Sequence, residues 1–402
     1  MNVHAGEIRE YAGRSSLAGY TTAVSLHAHT DQSKENMANV APYFDRIPVV
    51  AGFARRELDA YAQRHHEAMD FSKAWWHPPV DVRSVLDGER HQISERLGLA
   101  PLVSITDHDT IDANLAVRGA DADESVPVSF EWTVPFEDGY FHLGVHNLPS
   151  ARAIDCFERL SRHSRTPRPG ALTDLLAHLD DEPEILVVFN HPLWDLAGVG
   201  AAAHVHLVRR FMAAHGDVIH ALELNGYRPW RENEGVCRLS GEYGLPLVSG
   251  GDRHGRTVNA LLNLSSATTF GEFVREIRER RQSTVLVMPE YRQSLVARKL
   301  ATATDAMRHY PDYEPRCHWL DRVWSVQQGW PVPLSAKWRD GGPLWVRLAV
   351  RTFLLSASRV CLPFVRVLIW WVGASRSHDA GPVDHLPQLP VVPTQAPSDE
   401  LA

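Results

Sequence analysis

Cysteine is scarce in this 402-residue sequence. None of the four cysteines forms a C-x-x-C pair; they are Cys156, Cys237, Cys317 and Cys361. A structural zinc knuckle and a disulfide-rich scaffold are therefore not expected. A basic surplus is also missing, because 41 lysines and arginines stand against 49 acidic residues and leave a net charge of −8. From this charge balance we expect no stable nucleic-acid partner.

The sequence begins MNVHAGEIRE, which has neither the basic nor the apolar region of a secretion signal. We therefore expect a cytoplasmic protein. Hydrophobic residues make up 44% of the chain and charged residues 22%, values that are ordinary for a globular protein and exclude a disordered chain or a polytopic membrane protein. The length fits two or three domains, or one barrel of about 250 residues with an appendage.

Short apolar runs recur along the first 260 residues and indicate strands that are buried on both faces. Helical stretches separate several of them, which predicts an α/β architecture. The runs are 21–29, 102–109, 126–133, 140–147, 185–192, 218–225 and 245–254. Most of these runs end in polar residues, and parallel α/β barrels place their chemistry at the carboxyl ends of their strands. The pattern therefore favours a barrel with a functional site at that edge.

Three segments fall outside the strand–helix pattern. Residues 36–97 are predicted to be an insertion that covers the site like a lid. Residues 291–375 are rich in tryptophan and arginine and are predicted to form a helical extension of the 1–290 domain, and the proline-rich tail 376–402 is predicted to be disordered. Within the extension, residues 344–373 are strongly apolar, but arginines interrupt them, which argues against a membrane span. Peripheral membrane contact through an amphipathic helix and burial against the barrel or a dimer partner both remain open.

Histidine is abundant, and 18 of the 22 histidines lie before residue 260. Because imidazole is the commonest metal ligand, this raises the expectation of a metal site. Candidate ligands end successive strand runs, and His27 and His29 share one strand face. The other candidates are His108, Glu131, His142 or His146, His191, Asp252 and His254. Any one of them is more often a buried polar group, but six such positions at one edge of a sheet predict a metal centre.

These motifs, in this order, resemble those of the PHP (polymerase and histidinol phosphatase) domain over about residues 20–290. They are His27-x-His29, Thr106-Asp107-His108, Glu131, Asn190-His191-Pro192 and Gly251-Asp252-x-His254. The resemblance implies a distorted (β/α)7 TIM-like barrel, here with a helical insertion and an α-rich C-terminal extension. It also implies two or three divalent metal ions and hydrolysis of phosphoesters.

The resemblance implies a ligand set as well. One ion would be held by His27, His29, Glu131 and Asp252, with Glu131 bridging to a second ion. Further ligands to the second and third ions would be His146, His191, His108 and His254. Glu35 stands at a position where the family usually has another histidine or aspartate, and it is the candidate metal ligand there. The family's spacing favours His146 over His142, which would then have a supporting or structural role.

Two bridged divalent ions suit phosphoester hydrolysis by a metal-bound hydroxide, and mixed nitrogen and oxygen ligands suit Mn, Fe or Zn. We therefore predict a phosphoesterase for a small phosphorylated metabolite or nucleotide, with catalysis centred on Glu131, His191 and Asp252. Arginine is well suited to bind phosphate oxygens, although a solvated loop arginine is an equally good interpretation of each candidate. The predicted substrate-binding residues are Arg228, Arg253, Arg256 and Asn225.

Two alternatives remain. Amidohydrolase-like enzymes that cleave C–N bonds also open with H-x-H, but many of them bridge their metals with a carboxylated lysine. None of the four lysines follows a predicted strand; they are Lys34, Lys73, Lys299 and Lys337. The second alternative is a non-catalytic or nuclease PHP module. The nearly complete ligand set argues against a non-catalytic module, and the absence of a basic stripe argues against a nuclease.

Overall fold

The computed structural model of the protein describes residues 6–37, 70–120, 123–311, 313–327, 329–338 and 341–357, with parts of 52–63. The predicted disordered tail 376–402 lies outside these residues, as do most of the predicted lid between 38 and 69 and the apolar segment beyond residue 357. Among the described residues, no helix is both long and apolar enough to cross a membrane.

Two five-stranded sheets form the main body. The first has the order β1-β12-β11-β2-β5 and the second the order β10-β9-β8-β7-β6. The strands of the first sheet are β1 Glu7–Glu10, β2 Thr22–Ser25, β5 Ala100–Val103, β11 Leu261–Ser265 and β12 Thr284–Val287. Those of the second are β6 Val128–Phe136, β7 Gly139–Leu148, β8 Leu186–Phe189, β9 Ala221–Asn225 and β10 Leu247–Gly250.

A third, smaller sheet joins the insertion to the C-terminal extension. Its order is β14-β13-β4-β3, with β3 Glu35–Asn36, β4 Ala74–Trp76, β13 Val323–Gln327 and β14 Trp330–Pro333. All of its pairings are antiparallel. Strands from both ends of the chain therefore meet in one sheet.

Helices connect the strands and cover the sheets. In the main body they are α1 Val82–His91, α2 Asp112–Ala120, α3 Ala153–Arg165, α4 Ala171–Asp180, α5 Ala201–His215, α6 Trp230–Tyr243 and α7 Phe270–Arg278. The extension contains α8 Leu295–Met307, α9 Trp319–Arg322, α10 Leu334–Lys337 and α11 Leu344–Ser356. Helix α7 is strongly amphipathic and buries Phe270, Phe273, Val274 and Ile277.

The core joins the two larger sheets. One buried cluster combines Val24 of β2, Val188 of β8 and Val248 of β10 with the apolar face of α7. Two isolated parallel bridges lie just beyond the strand ends, between Ala28 and Arg253 and between His108 and Glu131. The first bridge brings the end of β2 next to the end of β10, and the second brings the end of β5 next to the middle of β6.

The predicted TIM-like barrel of parallel strands is wrong. No sheet among the described residues closes into a barrel, and both larger sheets are mixed. Strand β7 is antiparallel to both of its neighbours, and β11 is antiparallel to β2 and β12. Strands β6 and β7 are antiparallel because the connection between them is short. They are joined by a two-residue turn at 137–138, whereas a parallel pairing needs a crossover of a dozen or more residues.

Candidate metal centre

Ionisable side chains from both larger sheets converge at the edge where the two isolated bridges lie. His27 and His29 follow β2, His108 follows β5, His191 follows β8, and Asp252 and His254 follow β10. Glu131 and His142 lie within β6 and β7 and face the same point. Most of these residues are buried, and Glu131 is fully enclosed. The backbones of His191 and Asp252 have positive φ angles of 27° and 51°, a strained conformation that is common at functional sites.

Glu131 is the centre of this group. Its Oε2 atom lies 3.1 Å from Nε2 of His27 and 3.1 Å from Nδ1 of His108. Its Oε1 atom lies 3.1 Å from Nε2 of His191 and 3.2 Å from Nδ1 of His142. Four imidazoles therefore lie within 3.2 Å of one carboxylate, two on each oxygen, and His29 lies 3.5 Å from Oε2.

Two further carboxylates, those of Glu35 and Asp252, lie beside histidines of the centre. Oε2 of Glu35 lies 3.2 Å from Nε2 of His108 and 3.1 Å from Nε2 of His254. Oδ1 of Asp252 lies 3.5 Å from Nε2 of His29. Glu35 is buried even though it lies on a two-residue strand.

The chemistry of these donors fits divalent metal ions. Three overlapping groups place their ligand atoms within 4.8 Å of one another: His27, His29 and Asp252; His108, Glu131 and His142; and His29, Glu35, His108 and His254. Nδ1 of His142 is buried without a hydrogen bond of good geometry, although Oε1 of Glu131 lies 3.2 Å away. Buried nitrogen and carboxylate ligands of this kind suggest divalent metal binding.

The carboxylates are held ionised. Burial by itself would raise their pKa values, but the surrounding imidazoles outweigh burial. The pKa of Glu131 is well below its usual range because of His27 and His108. The pKa values of Asp252 and Glu35 are lowered in the same way. The three carboxylates are therefore in the ionised form that binds a metal ion.

The pKa values of the histidines differ according to whether burial or the nearby carboxylates dominate. Burial disfavours the charged form of His108, but Glu35 and Glu131 outweigh it and raise its pKa to about 10. The pKa of His254 rises to about 9 against burial, chiefly because of Glu35. Burial, followed by the charge of His254, lowers the pKa of His29 to about 4. A neutral imidazole such as that of His29 is ready to bind a metal.

Sequence reasoning missed Glu223, which accepts hydrogen bonds from two residues of the centre. The Nδ1–H of His27 donates to Oε1 of Glu223 at 2.6 Å, and the backbone N–H of His191 donates to Oε2 at 2.8 Å. A carboxylate in this place fixes the tautomer of His27 and directs its Nε2 toward Glu131. The signal was available, because Glu223 is the one charged residue in the buried strand ALELN.

The two candidate histidines of β7 have different surroundings. Glu131 pairs with Gly144, which lies midway between His142 and His146 on the strand. Both histidines therefore point to the same face. The structure places His142 beside Glu131, whereas Nδ1 of His146 shares a 2.9 Å hydrogen bond with Oγ of Ser104. Burial lowers the pKa of His146 to about 3.

Two of the predicted substrate-binding residues face inward instead. Arg253 is buried and forms an ion pair with the fully buried Glu89 of α1. Asn225 is also buried, and its amide donates to Glu223 at 3.0 Å and to Asp252 at 3.2 Å. Both residues hold other groups in place and are not open to a substrate.

The other two arginines are more accessible. The guanidinium of Arg228 lies 4.3 Å from the ring centre of Trp194 and donates to Glu232 at 2.7 Å. Trp194 contacts the ring of His191 at 5.1 Å, so Arg228 lies near the centre. Arg256 is exposed and stacks on Tyr310 at 4.6 Å.

Comparison with known proteins gives little similarity. No protein-family model and no curated protein matches the chain. Among solved structures, PsfC from Pseudomonas syringae has a TM-score of 0.39 at 14% identity, over 56% of this chain and 91% of PsfC. An amidohydrolase from Chromobacterium violaceum, with bound sulfate and no metal, has a TM-score of 0.30 at 16% identity, over 44% of this chain and 84% of that chain. A Bifidobacterium adolescentis protein provisionally assigned as a metal-dependent phosphoesterase also scores 0.30 at 16% identity, over 50% of this chain and 91% of that chain. Scores this low define neither fold nor function.

Proposed function

We propose that this chain is a metal-dependent phosphoesterase that hydrolyses a phosphomonoester or phosphodiester of a small metabolite or nucleotide. The observation that carries the proposal is the position of Glu131, a buried carboxylate with two imidazoles within 3.2 Å of each oxygen. Hydrolases with two metals use such a bridge to hold divalent ions about 3.5–4 Å apart. The ordered motifs that resemble the PHP domain support the same reaction.

Three groups of residues would hold the ions. His27, His29 and Asp252 form one, and the second consists of Glu131 with His108 and His142. The third comprises His29, Glu35, His108 and His254. His29 and His108 each belong to two groups, and each residue offers one ligand atom, so the three groups would not fill independently. We propose two ions, with a third at Glu35, and Mn, Fe or Zn as the metals. Bound divalent ions would supply Lewis-acid polarisation of a phosphoryl oxygen and of water.

The surrounding residues prepare the ligands for this chemistry. Glu223 keeps the proton of His27 on Nδ1, so the Nε2 lone pair faces the centre. Asn190 donates to Oε1 of Glu131 at 3.0 Å and fixes the rotation of the bridging carboxylate. Because these partners are buried, the ligands are held in one geometry before the substrate arrives.

On the substrate side, Arg228 is the best candidate for a phosphate contact. Its side chain is 14% exposed, and its guanidinium, which is also bound by Glu232, lies 4.3 Å from the ring centre of Trp194. Trp194 in turn contacts His191 of the centre. Stacking on an indole pre-orients the planar donors of arginine. We assign Arg253 and Asn225 positioning roles instead, because both are buried and their polar atoms bind Glu89, Glu223 and Asp252.

The test begins with metal analysis of the purified protein and a screen for phosphate release from nucleotides, sugar phosphates and phosphodiesters. Amides and lactams are included to detect C–N bond hydrolysis. We expect H29A to lower phosphate release by at least about 100-fold, because it removes a ligand shared by two groups. The matched control is H206A, which changes an exposed histidine of helix α5. Full activity of H29A, or hydrolysis of amides but of no phosphoester, would contradict the proposal.

A further inference from the structure

The third sheet connects the metal centre to the C-terminal extension. Glu35 pairs with Trp76 in the antiparallel pair β3–β4, and Trp76 pairs with Val323 on its other side. The carboxylate that faces His108 and His254 therefore lies at one edge of a sheet whose other half comes from residues 323–333. The same strand β4 places the ring of Trp76 at 6.1 Å from the ring of His254.

Strand β3 has too few residues to hold this position alone. It consists of two residues, and even a complete two-stranded hairpin is only marginally stable in water. Oγ of Ser33 donates to Oε1 of Glu35 at 2.6 Å, which fixes the side chain but not the path of the backbone. The backbone is held by its pairing with β4, together with the hydrogen bond from N–H of Met37 to the carbonyl of Ala74 at 3.1 Å. The position of Glu35 thus depends on β4.

Strand β4 is held in turn by β13. The rings of Trp75 and Trp324 stack across the pair with centres 6.4 Å apart and planes 16° from parallel. The backbone N–H of His77 donates to the carbonyl of Arg322 at 2.9 Å, just before β13 begins. Nε1 of Trp75 donates to Nε2 of His77 at 3.0 Å and links these two contacts.

Arg322 anchors β13 to the rest of the extension. It is 1% exposed, and its guanidinium is bound by four backbone carbonyls. The acceptors are Arg316 at 2.9 Å, Cys317 at 3.2 Å, Ala306 at 2.7 Å and Arg308 at 2.6 Å. A buried charge is tolerated only when it is well hydrogen-bonded, so this geometry requires all four carbonyls and strongly constrains the loop between α8 and β13.

We propose that Arg322 and strand β13 are positioning elements of the metal centre: they hold Glu35 in place and so control the ion bound by His29, Glu35, His108 and His254. The part of this proposal that concerns the ion rests on the proposed function. The extension would then support one side of the metal centre. Its loss would move Glu35 and leave the groups around Glu131 and Asp252 intact.

The experiment compares W324A and R322Q with E35Q, which removes the ligand charge directly. The matched control is W330A, which changes the other tryptophan of the same hairpin, whose side chain is 75% exposed. After equilibration with Mn²⁺ and dialysis, we expect W324A, R322Q and E35Q each to retain about one ion fewer per chain than the wild type, and W330A to retain all of them. We also expect faster hydrogen exchange in the peptide 31–37 for W324A and R322Q, but not for W330A.

Two outcomes would overturn the proposal: a folded W324A with the wild-type ion count, or one with unchanged exchange in 31–37. If R322Q does not fold, W324A decides. Combining E35Q with W324A should cause no further loss of ions, because both changes act on the same position. A wild-type protein that binds ions but releases no phosphate would defeat the proposed function alone. If the wild type binds no ion, the proposed function and the ion-control part fail together, and the exchange data decide whether β13 positions Glu35.

Discussion

The most demanding test of the metal centre is the substitution G250A, which adds a single methyl group. Gly250 is the last residue of β10, and its α-carbon lies against the carboxylate of Glu223. A Cβ atom built on Gly250 would lie within a covalent bond length of Oε1 of Glu223, whereas real Cβ contacts essentially never fall below 3.0 Å. In G250A the carboxylate must therefore move by more than about 1 Å, because the nearby backbone is buried and closely packed.

The displacement would break the contacts that Glu223 makes. It accepts hydrogen bonds from Nδ1 of His27 at 2.6 Å, from the backbone N–H of His191 at 2.8 Å and from the amide of Asn225 at 3.0 Å. An unsatisfied buried partner costs about 1–3 kcal/mol, so the loss of any two of these three bonds predicts a destabilisation of about 2–6 kcal/mol. Because His27 also loses its orientation, metal affinity should fall by about 10–100-fold.

The assay is urea unfolding of G250A and wild type without metal, followed by titration with Mn²⁺. The matched control is G241A, which adds a methyl to an exposed glycine of α6 with nothing within 4 Å. This control should be neutral or stabilising by up to about 1 kcal/mol, since alanine favours helix. In the E223A background the clash partner is absent, so G250A should add little further destabilisation. A G250A protein with wild-type stability and metal affinity would refute the role given to Glu223.

Three further predictions follow from the geometry. H142A should weaken Mn²⁺ binding by about 10-fold or more, measured by calorimetry, while H146A should leave it nearly unchanged, because His142 contacts Glu131 and His146 bonds to Ser104 instead; the reverse order would contradict this. R253A should leave Glu89 buried without its partner and lower stability by about 3–5 kcal/mol in urea unfolding, with little change in KM, and a raised KM at unchanged stability would show a substrate contact instead. Burial lowers the pKa of His220 to about 4, so the unfolded chain binds more protons between pH 6.5 and 4. The folded protein therefore loses about 3 kcal/mol of its free energy of unfolding as the pH falls from 6.5 to 4. H220Q should flatten this part of the plot of stability against pH, and identical plots for H220Q and wild type would exclude a contribution from His220.

Much of the candidate centre could be predicted because strand periodicity is a local property. His27 and His29 end a short apolar run, and Glu131 interrupts another, so each had to lie on a buried strand or at its end. Polar groups in such places need partners, and several of them at one edge of a sheet could satisfy one another only by converging. The same local rules could have predicted the antiparallel β6–β7 pair, because its two-residue connection leaves no room for a crossover.

The remaining features depended on contacts between residues far apart in sequence. His142 and His146 are equivalent by periodicity, and Ser104 on another strand separates their roles. Arg253 was expected to contact substrate, but it forms an ion pair with Glu89, which lies 164 positions earlier in the sequence. Local patterns therefore determined which side chains this protein had to bury and on which strands. Only tertiary packing decided which partner each buried charge received, and it brought β13 to the strand that supports Glu35.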